Sequence, residues 1–195
     1  MDSTDHVAIG VSGTNKLLIV EVSDFGREGQ VTGIDLSGTS LSLLISWAGT
    51  GNIAVDVWYL INPPDGLGTI TVSQADPQGA IFSVGAILLN GANQTTPFGA
   101  PACASSEGSA YPSKTLTGTT SGNLVFDVTG ILEPGSVIGR AAGSGQTQDW
   151  TNDAVFPPFT VGGFGSHKSA GGSVTIEWTL DVIAEWDLCA FEVKQ

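Results

Sequence analysis

His6 and His167 are the only imidazoles in the chain. General-base chemistry near neutral pH would have to use one of them or a perturbed carboxylate. His6 lies in an N-terminal arm, and His167 sits in Gly165-Ser166-His167-Lys168, which reads as a loop. A Ser/His/Asp hydrolase on an α/β scaffold would present its serine in a Gly-x-Ser-x-Gly elbow, and none occurs. Cys103 with His167 is the one thiol pair available, and nothing local marks an activated thiolate. A glycosidase needs two facing carboxylates. Glu177, Glu185 and Glu192 lie on or beside the last two strands, but Glu177 alternates with apolar residues and should face solvent. Clustered His and Cys for zinc are absent, as is the Asp-x-Asp-x-Asp-Gly spacing of a calcium loop. Scattered carboxylates such as Asp149 and Asp153 leave an irregular calcium site open. No phosphate loop or dinucleotide fingerprint is present. The expectation is a chain with no catalytic residues, no cofactor and no metal.

Sugar binding needs less machinery: an exposed aromatic ring and polar neighbours. Trp47, Trp58, Trp150, Trp178 and Trp186 are available. Trp58 falls on the opposite strand face from Val57 and Tyr59, and Trp150 lies near Gln148 and Asn152. The competing reading is that Trp58, Trp178 and Trp186 fill the core or an inter-subunit contact. Asn93-Gln94-Thr95 is a glycosylation sequon, but no apolar segment follows a basic start at Met1-Asp2-Ser3-Thr4-Asp5, so synthesis in a cytoplasm is expected. In that compartment Cys103, in a loop, and Cys189, in a strand, are expected to be reduced; a bridge between them is the lesser alternative.

The elements that would position these residues are strands. The chain centres on Ile53 to Val72. Ile53, Val55, Val57, Tyr59 and Ile61 share one face and Asp56 the other; Asn62-Pro63-Pro64-Asp65-Gly66 stops the ladder, and Thr69-Ile70-Thr71-Val72 resumes it. Lys16 to Val22 is so continuously apolar that both its faces should be covered. Leu116–Thr120 and Leu124–Val128 read as a hairpin across Ser121-Gly122-Asn123. Asn90–Ser113 and Gly143–Gly172 read as long irregular loops. About eleven strands and no helix give an all-β fold, an antiparallel β-sandwich wound like a jelly roll. Residues 1–15 form an arm and 16–195 a single domain. Val-Thr-Gly-Ile occurs at Val31–Ile34 and again at Val128–Ile131, which would suit a duplicated sheet motif.

Composition narrows the partners. The formal net charge is −13, with six Lys and Arg, so direct nucleic-acid binding is disfavoured. No apolar run approaches the ~20 residues of a membrane span.

Three stretches then carry a resemblance: Trp58 to Gly66 with Gly68-Thr69-Ile70-Thr71-Val72; Asn93-Gln94-Thr95-Thr96-Pro97-Phe98-Gly99; and Val174 to Leu180 running through Trp186 to Lys194. Together they resemble a β-sandwich module of tailed-bacteriophage structural proteins and some bacterial surface proteins, over most of the chain from about Lys16. The resemblance implies a non-enzymatic virion protein, most similar to a capsid decoration (cement) protein. Such proteins are made in the host cytoplasm and bind the outer surface of the head, bridging capsomers of the major capsid protein, often as homotrimers. The acidic arm departs from the family's pattern and could grip the capsid. Trp150, Phe156, Phe159, Phe164 and Phe98 are the expected partner contacts. The alternative is a carbohydrate-binding or adhesin module of a phage tail or bacterial surface, with a glycan as partner.

Overall fold

The computed structural model describes residues 6–26, 29–75, 81–135 and 138–195, and all their regular structure is β. Sixteen strands form among these residues. The first eight are β1 His6–Val11, β2 Leu17–Phe25, β3 Val31–Leu36, β4 Thr39–Ser40, β5 Ser42–Ala48, β6 Ile53–Ile61, β7 Gly66–Gln74 and β8 Phe82–Leu89. The second eight are β9 Ala102–Ser109, β10 Ser113–Thr119, β11 Leu124–Pro134, β12 Arg140–Ala142, β13 Thr147–Phe156, β14 Phe159–Ser169, β15 Gly172–Leu180 and β16 Ala184–Val193. The antiparallel β-sandwich is as expected, but eleven strands was too few. Three of the missing strands, β9, β13 and β14, lie inside the two stretches expected to be loops. β9 and β13 are polar sheet edges. β14 is interrupted by Gly162, Gly163 and Gly165, where the backbone is approached too closely to leave room for a Cβ.

The strands make four antiparallel sheets, β1-β7-β3-β4, β5-β6-β2-β8, β13-β14-β11-β16-β9 and β10-β15-β12. They stack in that order around three apolar layers. Val31, Ile34, Ile70 and Val72 meet Leu18, Val20, Val22 and Trp58 in the first. Leu17, Ile19, Val55 and Val57 meet Phe126, Val128 and Phe191 in the second. Val125, Phe164, Leu188 and Ala190 meet Leu116, Val174, Ile176 and Trp178 in the third. The two inner sheets are therefore covered on both faces. This confirms the reading of β2, which is buried from Leu17 to Asp24. It corrects the one-faced reading of β6, where Ala54 and Asp56 are as buried as Val55 and Val57.

The two halves of the chain are wound alike. In the first, β5·β6 is the tip of a long hairpin, followed outward by β3·β7 and β2·β8, with the arms alternating between inner and outer sheet. In the second, β13·β14, β12·β15 and β11·β16 repeat this arrangement. β1 beside β7 and β2 beside β6 are matched by β10 beside β15 and β11 beside β14. Across the middle layer β8 touches β13 and β14, β2 touches β14 and β11, β6 touches β11 and β16, and β5 touches β16. Exchanging counterparts maps these contacts onto themselves. A pseudo-two-fold axis thus runs between β2 and β11, as in an isologous dimer built from one chain.

The Val-Thr-Gly-Ile tetrapeptides do not mark this repeat. They lie on β3 and β11, which are not counterparts. The expected hairpin across Ser121–Asn123 also does not form. β10 buries one face and joins an outer sheet, while β11 is covered on both faces and pairs with β14 and β16. Of the expected arm, His6–Val11 is strand β1, paired with β7, and Met1–Asp5 lies outside the described residues.

The expectation of reduced cysteines is overturned: Cys103 and Cys189 form a disulfide. With β9 present, the antiparallel register sets the two residues directly opposite each other, with Cα atoms 4.1 Å apart.

Candidate functional site

Between the inner sheets runs a seam of buried polar groups. Trp150, on edge strand β13, turns its ring inward over Gly163 and Gly165 of its neighbour β14 and against Gly85 of β8. A Cβ on Gly85 would stand 2.1 Å from the ring. The indole Nε1 donates to Glu21 Oε2. Burial holds the Glu21 carboxyl well above its ordinary pKa, with the charges of Asp127 and Asp149 adding to the shift and the Trp150 bond opposing it. Ser23 and Ser83 donate across the seam to the carbonyls of Gly162 and Val161, at 3.2 and 2.9 Å. On the opposite face of β11, toward the third layer, Asp127 accepts from the Ser166 hydroxyl and amide, from Thr129 and from Trp178 Nε1. Its pKa still rises to about 6 because burial outweighs those bonds.

His167 Nδ1 lies 2.7 Å from Asp149 Oδ1. A histidine held by a carboxylate lacks only a nucleophile to make a triad, but the adjacent Ser166 gives its hydroxyl to Asp127 and accepts from Gln146 Nε2. The two carboxylates weighed for calcium lie on β13 and are each engaged, Asp149 by His167 and Asp153 by Arg140. Among the described residues no group of three or more His, Cys, Asp or Glu is placed to hold a metal. No helix among them is long and apolar enough to cross a membrane.

The aromatics weighed for sugar binding are mostly internal. Trp58, Trp178 and Trp186 are buried, Trp150 fills the glycine slot, and only Trp47, 37 % exposed on edge strand β5, offers its ring. Of the expected partner contacts, Phe164 is fully buried, edge-on to Trp178 with ring centres 4.6 Å apart. Phe98 packs in the middle layer between Tyr59 and Phe191. Phe164 has no face to present to a partner, and Phe98 is partly covered.

Phe156 and Phe159 differ. They flank the Pro157-Pro158 turn at the tip of the β13·β14 hairpin and are 59 % and 38 % exposed. Phe159 stacks on Phe25, at the end of β2, with centroids 5.8 Å apart. Phe159, Leu132, Ala184 and Ile183 line a shallow groove with Glu107 and Glu185 at its margin. Ile183 is 71 % exposed, and Val155 and Val182 are exposed as well. Glu185 also accepts from the Asn52 amide, so the β5·β6 tip is tied into the same end. One end of the body is therefore apolar with an acidic margin. Phe25 and Ile183 were not found from sequence. Each lies in or beside a turn with no pattern of its own, and only the topology brings them beside Phe159.

No family model matches the chain, and neither does any curated protein or any solved structure.

Proposed function

We propose that the chain is a structural module that attaches to a larger assembly through this apolar end. We read it as a decoration protein on the outside of a tailed-phage head, bridging capsomers of the major capsid protein. The observation that carries the reading is the apolar end itself: exposed Phe156, Phe159 and Ile183, with half-buried Phe25 stacked under Phe159. It sits on a body whose other large aromatics are mostly spent inside. Four packed layers make a stiff support, so little ordering cost accompanies docking. Aromatic anchors ringed by polar groups are what interface centres are made of. A trimer presenting three such ends would multiply modest contacts through avidity. The test is to add purified protein to heads lacking it and measure their resistance to heat. The reading predicts saturable binding and a higher rupture temperature. Heads that neither bind the protein nor change in stability would refute it.

A further inference from the structure

The pseudo-two-fold leaves one position filled in the second half and open in the first. β16 carries β9 on its outer side, as an added antiparallel strand. Its counterpart β8 ends its sheet, with no described strand beyond it. The consequence is visible in burial. β16 is buried at every position but Glu185, whereas Val84, Ala86, Ile87, Leu88 and Leu89 of β8 are each only partly covered. These residues alternate between the margins of the first and middle apolar layers, so both faces of β8 lack one neighbour.

β8 is also unprotected in the ways sheet edges are usually protected. Phe82–Leu89 holds no charge and no proline, and its pairing with β2 has no bulge. The edges β5, β13, β10 and β9 each lie in a pairing with a register break, and β4 and β12 are two and three residues long. β1, the other unbroken edge, corresponds to β10, which flanks β9 in the second half.

We propose that the edge of β8 is a strand-acceptor site that takes an extended, basic segment of a partner polypeptide as an added antiparallel strand. β9 supplies the template. Its small residues Ala102 and Ala104 close the third layer while Cys103 closes the middle one, so the incoming strand needs small apolar or β-branched side chains in alternation. The net charge of −13 favours a basic segment as the incoming strand. The site flanks the sheet, whereas the apolar end lies at the strand termini, and the two readings are independent.

The test uses a lysine-flanked synthetic peptide alternating alanine and threonine, added to the intact protein and followed by amide hydrogen exchange. The expected result is slowing of β8 amides by at least about tenfold, loss of that slowing in Ile87→Lys, and binding at least about tenfold weaker for the same peptide flanked by glutamate. Protection at β1, β5 or β13 instead of β8, no protection at millimolar peptide, or equal binding of both peptides to the wild-type chain would overturn the proposal. The last comparison needs no variant and stands even if Ile87→Lys does not fold.

Discussion

The two halves follow one winding plan and differ where the plan leaves room. The tip between β5 and β6 is Gly49-Thr50-Gly51-Asn52; the tip between β13 and β14 is a proline pair flanked by Phe156 and Phe159. The first half has a bare inner edge at β8; the second has β9, held by a disulfide. What the halves share is what the fold requires. A strand buried on both faces must lie between two other sheets, and a hairpin that alternates between inner and outer layers provides such strands twice. What they do not share is free of that requirement. The differences therefore mark the candidate functional features: the apolar tip and the open edge.

The comparison can be broken first at the staple. If β9 is an addition to a complete second half, removing the disulfide should cost stability without unmaking the sandwich. Cys103→Ala with Cys189→Ala should lower the unfolding free energy by about 2–4 kcal/mol, the usual contribution of a disulfide. It should leave the exchange protection of β11, β14 and β15 intact. Loss of protection throughout the second half would show that β9 is integral to it.

Acid content sharpens the comparison further. Burial raises Asp24 in the first half to about 8, with the Asp56 charge adding to the rise, and raises Glu133, Asp127 and Asp187 in the second to about 7, 6 and 6. A carboxyl with a raised folded-state pKa holds its proton in the native state after the unfolded chain has released it. Native protein then binds more protons, and stability falls as pH rises. Each loss begins near pH 4 and is complete above the folded pKa. The melting temperature should therefore be highest near pH 4–5 and fall by several degrees by pH 8.5, with the second-half contributions exhausted by about pH 7 and that of Asp24 continuing to about pH 8. A melting temperature that rises from pH 5 to pH 8 would contradict these assignments.

Much of the framework was legible in the sequence because it follows from local pattern. The continuous apolarity of Leu17–Val22 required two covered faces, the alternation of Val174–Leu180 required one, and both were found. What stayed hidden depends on register and stacking. Gly162, Gly163 and Gly165 resemble loop residues until Trp150 is seen lying over the last two. Cys103 seems to sit in a loop until β9 pairs with β16. The duplication leaves no tetrapeptide behind, since a wound hairpin constrains strand order and burial and leaves residue identity open. Of the aromatics expected at an interface, only Phe156 and Phe159 are exposed, because they flank the proline turn at the hairpin tip, where the sheet ends.

The smallest expected effect on stability is also the most direct test. Replacing Phe156, Pro157, Pro158 and Phe159 with Gly, Thr, Gly and Asn would give the second half the tip of the first. The account predicts a chain that folds as before, less stable by about 1 kcal/mol for the lost stacking on Phe25, and that no longer binds heads lacking the protein. A variant that binds those heads as tightly as the unaltered chain would contradict it.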